Sequence, residues 1–442
     1  VTIVDGSNHN ATVQGLNSGV TVNILEPNAI QTIDTADAAA VSIDVEVEKT
    51  GGSVVVTDTA AVTVTGRVAI GDMTALVLDA VDTTSLSLAA TSTHDLDTGL
   101  ITNTDKITSL TFTTDTDGGV IVTDAIVDGS SMTTLTATAV GGVVTTGALF
   151  ATDDAAALAT INTTATKGAV ITFGDISGDT TLDSVTDNAM TITSSVSGDD
   201  ASSIDSKVIF GAVDNQYGTI TLNHSGDGIH GTTTGALTAV DVTVTSTGGD
   251  VTIGNVDASE DFTLTVTGSS TATVTDFDAD TFASIDASAS TGKLTVTAGS
   301  SDGNVTILGG SAGDAITFTN TIATGKVHSI SGAAGDDTIT GGAGGETILG
   351  GAGNDSLIGG AGNDSISGGA GNDTFNFGTA ADLNNGDTVD GGDGTDTVLI
   401  TSTADLDSAI TASTSTTLTS VETVDIHATA TGKAFDATNW TS

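Results

Sequence analysis

Between Gly332 and Asn376 the chain repeats a nine-residue unit five times without a gap, and the sixth position of every unit is an acid: Asp337, Glu346, Asp355, Asp364 and Asp373. The first and fourth positions are glycines: Gly332 and Gly335, Gly341 and Gly344, Gly350 and Gly353, Gly359 and Gly362, Gly368 and Gly371. The eighth is apolar: Ile339, Ile348, Leu357, Ile366 and Phe375. A further unit opens at Gly391 and carries Asp393 and Asp396, and a weaker one opens at Gly309, has Ala312 in place of a glycine and carries Asp314. Glycine admits tight turns that a Cβ hinders, so these acids sit among turns whose carbonyls are free to point at them. An all-oxygen donor set of this kind suits a hard divalent cation, and calcium takes six to eight oxygens at about 2.3–2.6 Å. A flexible glycine linker would hold neither a fixed acid nor a fixed apolar position.

These residues resemble the RTX family, whose nonapeptide Gly-Gly-x-Gly-x-Asp-x-apolar-x folds as a calcium-bound parallel β-roll. The resemblance implies bound Ca2+ with carbonyls of the glycine turns completing the shell. In a two-sided roll each turn takes two repeats, so Asp337, Asp355 and Asp373 share one edge and Glu346 and Asp364 the other. Stacked carboxylates repel, and near pH 7 a divalent cation removes the conflict where protonation does not. Folding is therefore expected to depend on calcium. Ligand counting gives about two to four ions for the block. Glu346, longer by a methylene, and Ala333 and Ala334 in the first unit depart from the family pattern. The acid clusters Asp276-Phe277-Asp278-Ala279-Asp280 and Asp115-Thr116-Asp117-Gly118 fit no EF-hand spacing and are read as solvated turn acids.

The rest of the chain must position this block. From residue 1 to about 300, aliphatic and hydroxyl residues alternate with period two, as in Ala61-Val62-Thr63-Val64-Thr65 and Phe262-Thr263-Leu264-Thr265-Val266. Such strands carry one apolar and one hydroxylated face. Strand, glycine turn and strand recur: Leu135–Ala139 leads through Gly141-Gly142 to Val143–Thr145, Val240–Val244 through Gly248-Gly249 to Val251–Ile253, and Ile285–Ala289 through Gly292 to Leu294–Val296. Rungs of this kind stack, so the expected fold is all-β: a parallel β-solenoid with a calcium-bound RTX β-roll, with a sandwich array as the alternative. The expected organisation is a Thr/Val-rich β unit at 1–130, a solenoid of degenerate repeats at 131–308, the RTX roll at 309–399 and a C-terminal β segment at 400–442. Val1 is expected to be a processed or truncated start.

Charge and motif content narrow the function. Lys plus Arg is 8 against 56 Asp plus Glu, a formal charge of −48, so nucleic acid and direct membrane insertion are not expected, and cations are. Cysteine is absent, which removes thiolate metal sites and thiol chemistry. None of the six histidines is followed by Glu as a His-Glu-x-x-His zinc site requires, and neither Gly-x-Ser-x-Gly nor a phosphate loop occurs. With one Trp and one Tyr the chain lacks the aromatics that line carbohydrate clefts, and no enzyme is expected. The whole most resembles RTX-type bacterial surface-layer proteins. That resemblance implies type I secretion through a C-terminal signal within 401–442 and calcium-dependent self-assembly into a cell-surface lattice or extracellular filament. An RTX adhesin or matrix protein binding a cell-surface polysaccharide or another cell is the alternative, and a secreted carbohydrate-active enzyme the lesser one.

Overall fold

The computed structural model describes residues 282–299, 303–319, 327–378, 386–401, 417–426 and 440–441 and, before them, a series of strands with their short connections, the longest of these segments being 131–149 and 262–279. Among the described residues every regular element is a strand, and the strands pair in parallel, most of them with the strand that follows their neighbour in sequence; Ser85–Ala90 pairs with Ser109–Thr114 across two intervening strands. The chain is a parallel β-solenoid. It divides into two compact units, 1–239 and 240–442.

In the first unit the alternation expected from sequence sets the register. Leu86 pairs with Leu110, Leu110 with Leu135, Leu135 with Ile161 and Ile161 with Ile192. All five are buried, so one aliphatic side chain per turn stacks on the next along the inner face of this sheet. A second inner line runs through Ile121, Val144 and Ile171, and a third links Ile101, Ile126 and Leu149. Phe112 and Phe173 meet from two of these sheets, with ring centroids 6.4 Å apart. In-register pairing runs unbroken past residue 130, from Ser109–Thr114 to Thr134–Val140.

The second unit has two such lines. One passes through Val242, Leu264, Ile285, Ile307, Ile330, Ile348, Ile366, Val389 and Leu418. The other passes through Ile253, Val274, Val296, Ile316, Ile339, Leu357, Phe375 and Val398. All are buried, and each contributes roughly 1.5–3 kcal/mol by leaving water. The apolar eighth positions of the nonapeptides thus extend lines that begin well before the repeats. What changes at the repeats is turn length: equivalent residues are 22 apart at Thr245 and Thr267 and 18 apart within the repeat block.

Because each turn rests only on its neighbours, loss of one core ring acts locally but fully. Phe112→Ala is expected to lower the stability of the first unit by about 3–5 kcal/mol, measured as the urea midpoint in saturating calcium. The outward Thr136→Ala should shift it by less than about 0.5 kcal/mol.

Candidate metal centre

The acids of the repeats do not sit in the strands. Each stands one residue before one, so its main chain still joins the ladder while its side chain faces the edge of the roll. On the first edge the carboxylate of each turn accepts the main-chain N–H of the acid one turn earlier. Asp314 N–H donates to Asp337 Oδ1 at 2.6 Å, Asp337 to Asp355 at 2.9 Å, Asp355 to Asp373 at 2.8 Å and Asp373 to Asp396 at 2.8 Å. From there Asp396 N–H donates to Glu422 Oε2 at 2.7 Å. On the second edge Glu346 N–H donates to Asp364 Oδ1 and Asp364 N–H to Asp387 Oδ1, both at 2.9 Å. Parallel strands lie about 4.8 Å apart, so each edge is a column of carboxylates at that spacing.

The columns are buried. Asp337, Glu346, Asp355, Asp364, Asp373, Asp387 and Asp396 are all at most 2% exposed. The ladder bond occupies Oδ1, and Oδ2 of Asp337, Asp355, Asp373 and Asp396 has no hydrogen-bond partner. Burial, helped by the neighbouring carboxylates, pushes Asp337 up to about 7 and Asp373 up to about 6. Burial followed by the Asp364 carboxylate raises Glu346 to about 8. Asp355 and Asp396 are raised by burial as well. An unpaired buried acceptor costs about 1–3 kcal/mol, more when charged, so the columns are unstable as bare anions.

The glycines show what would relieve them. A Cβ on Gly332, Gly350 or Gly368 would run into Oδ2 of Asp337, Asp355 or Asp373 and into the carbonyl of Gly350, Gly368 or Gly391 one turn on. On the other edge Gly359 faces Asp364 Oδ2 in the same way, and Gly341 faces Glu346 Oε2 and the Gly359 carbonyl. Carboxylate and carbonyl oxygens therefore converge beside Gly332, Gly341, Gly350 and Gly368. The fourth-position glycines Gly353, Gly362 and Gly371 turn the chain at φ 136°, 149° and 140°, which an L side chain rarely adopts. Ala333 takes φ 72° at the position where later turns place Gly351, Gly369 and Gly392. Among the described residues no three acidic, histidine or cysteine side chains converge on one point, so an ion here takes main-chain carbonyls for the rest of its shell. A hard cation of calcium's coordination number fits that donor set.

The remaining expected ligands fall differently. Asp314 heads the first column, and both its oxygens are taken, Oδ1 by Leu294 N–H at 2.7 Å and Oδ2 by Gly310 N–H at 2.8 Å. Asp393 pairs with Ala370 at a strand end and is exposed, outside both columns. Gly335 has φ 117°, and the Gly344 carbonyl lies against Gly362. Asp276 and Asp278 lie within the strand Ala272–Ala279 rather than in a turn, beyond a register shift that falls between Val274 and Phe277. Asp115, Asp117 and Asp280 lie outside the described residues. Sequence reading missed Asp387, Glu422 and His328, which occupy ladder positions. Their shared mark is a polar residue two places before a buried or strand-centre aliphatic: Val389, Val424 and Ile330.

The family model for the RTX calcium-binding nonapeptide repeat (4 copies) matches residues 329–357, 340–375 and 349–383, the segment that builds both columns. No curated protein and no solved structure matches the chain. RTX nonapeptides are calcium-binding, and calcium is the ion of these columns.

Two outcomes follow from the geometry. Asp355→Asn, in the middle of the first column, should weaken calcium binding at least tenfold while keeping the ladder acceptor, as read by calcium titration of the far-ultraviolet dichroism. Without calcium the folded pKa values near 6, 7 and 8 stand above the ordinary 3.8 and 4.5. The stability these groups contribute is then full below about pH 4 and is lost as pH rises through 6 to 8. Ion-free protein should unfold more readily at pH 8 than at pH 5, and saturating calcium should remove the difference. A flat ion-free profile would speak against buried, unpaired acids.

Proposed function

We propose that this chain, whose residues 329–383 match the RTX calcium-binding nonapeptide repeat, is a structural protein that closes its repeat roll on meeting calcium outside the cell and self-assembles there into a surface layer, lattice or filament. Proteins with these repeats are typically secreted by a type I route. The observation that carries the reading is the pair of buried carboxylate columns, whose second oxygens have no protein partner on the first edge. At low calcium the columns oppose closure of the repeat turns, and that segment stays open while the chain is exported. At millimolar calcium the ions close the columns and the roll forms.

Assembly follows from the same charge balance. With 8 basic residues in 442 and a net charge of −48, copies cannot pair through Lys or Arg in any number. Divalent ions bridging acidic surfaces supply the missing positive charge, while monovalent salt only screens. In the first unit Ser109, Thr134, Thr160 and Thr191 stand in one register line, as do Thr113, Thr138, Thr164 and Ser195. Uncharged hydroxyl lines of this sort suit flat packing between copies, and the protein is read as a non-enzyme at the cell surface. The adhesin alternative places a polysaccharide, rather than a second copy, on the same faces.

Purified protein examined by circular dichroism and negative-stain microscopy, first in excess EDTA and then in millimolar calcium, tests this. Calcium should produce β-structure and ordered sheets or filaments, and magnesium or sodium at equal ionic strength should not. A protein equally folded in EDTA and monomeric in calcium would overturn the assembly reading. Folding in calcium without assembly would keep the roll and favour a partner of another kind.

A further inference from the structure

The second column has a beginning, and the residue found there is not an acid. Val305, His328, Glu346, Asp364 and Asp387 hold the same ladder position in successive turns, each one residue before the paired lines Thr306, Ser329, Thr347, Ser365 and Thr388. Val305 is apolar and buried, and Glu346, Asp364 and Asp387 are carboxylates. His328, fully buried, stands between them.

His328 closes the ladder as an acid would, but with nitrogen. Its Nδ1 accepts the N–H of Val305 at 3.1 Å. An accepting Nδ1 carries no proton, so in the neutral ring the proton is on Nε2. The imidazole is held neutral by burial, which pushes its pKa down to about 4. It is also held in place: its ring stacks on Phe318 of the opposite line of strands, centroids 4.6 Å apart and planes 19° from parallel. A flip of the ring keeps the stack but puts Cδ2 where Nδ1 accepts the Val305 N–H, and so breaks the ladder bond. The polar atom left over is therefore an N–H donor, buried without a hydrogen-bond partner. In the acids of the first column the atom left over is a bare oxygen.

We propose that His328 is the end-stop of the second calcium column, a rung that accepts the Val305 main-chain N–H while offering no lone pair to a cation. An imidazole N–H repels a metal ion, and even a free imidazole nitrogen is a poor partner for calcium beside carboxylate and carbonyl oxygen. The first column starts in an analogous manner: the rung before Asp314 is the apolar Leu294, and both Asp314 oxygens already hold main-chain N–H groups. The ion-bound turns thereby rest on a rung that folds through hydrogen bonds and packing alone. His328 and its Phe318 stack give the first calcium-dependent turn a surface already in register.

This inference rests on calcium binding by the repeats and not on self-assembly. The test is calcium stoichiometry of the full chain by equilibrium dialysis for the wild type, His328→Asp and His328→Asn, with the 15N spectrum of the His328 imidazole read in the presence and absence of calcium. His328→Asp restores a bare oxygen and should bind one more calcium per chain than the wild type. His328→Asn keeps an acceptor for Val305 and an N–H donor, and should bind the same number. The His328 resonance, identified by its loss in His328→Asn, should remain that of an Nε2–H ring when calcium is added. A count lower by one in His328→Asn, or an Nε2 that loses its proton to calcium, makes His328 a ligand and overturns the proposal. So does a folded His328→Asp with an unchanged count. Should His328→Asp fail to fold, the His328→Asn count and the imidazole spectrum decide. A wild type that binds no calcium overturns the roll reading, and this proposal with it.

Discussion

The constraint on which the second unit turns is the hydrogen bond from the main-chain N–H of one turn to the carboxylate of the next. It fixes the height of each turn and satisfies a backbone donor that the glycine edge would otherwise leave unpaired. It also dictates the problem that follows. One oxygen held in register by the ladder means a second oxygen held in register without a partner, turn after turn, at the spacing of parallel strands. Protonation relieves a few such groups, as the raised values at Asp337 and Glu346 show. A cation relieves all of them together, and it alone uses the carbonyls that the first-position glycines leave uncovered.

The ladder explains which parts of the site were legible in the sequence. A strict period of nine made the five central acids, their glycines and the apolar eighth positions readable, and the assignment of Asp337, Asp355 and Asp373 to one edge and Glu346 and Asp364 to the other matches the hydrogen bonds. Period-two alternation likewise announced parallel stacked strands, because Val, Ile and Leu face the core at every second place. Where turns lengthen, the period fails but the ladder continues. Asp387 and Asp396 each sit 23 residues beyond the acid they serve, and Glu422 lies 26 beyond Asp396. The strands on either side of each insertion stay in register, so spacing in sequence no longer reports spacing in the column. Asp314 shows the converse: it has the residue type and the position of a ligand, yet Gly310 N–H occupies its second oxygen, and a main-chain donor of that kind leaves no trace in a motif.

A solenoid is stabilised by nearest-neighbour contacts, and this bears on how an ion acts. A cation between two turns ties those turns and no others, so binding and folding advance one turn at a time. Each turn added presents the oxygens for the next ion, which makes the columns cooperative through geometry rather than through any distant rearrangement. Such a process needs a first turn that is already formed. Upstream of Asp314 and His328 the ladder positions are Leu294 and Val305, both buried and apolar, and those turns are held by the aliphatic lines that also run on beneath the repeats.

The two halves of the chemistry are therefore continuous. The same aliphatic line that passes through Ile285 and Ile307 passes through Ile348 and Ile366, so the apolar core does not distinguish ion-free from ion-bound turns. The edge does. Where it is apolar the turn closes in any medium, and where it is a carboxylate the turn closes only in a medium that supplies a divalent ion or a proton. A chain of net charge −48 thus carries a core competent to fold everywhere and edges competent to fold only where calcium is abundant. The location of folding is set by the ladder residue of each turn and not by hydrophobicity. On the function proposed here, that separation of driving force from permission would let the repeat turns stay open where calcium is scarce and close into an ordered roll where it is not, on upstream turns that need no ion.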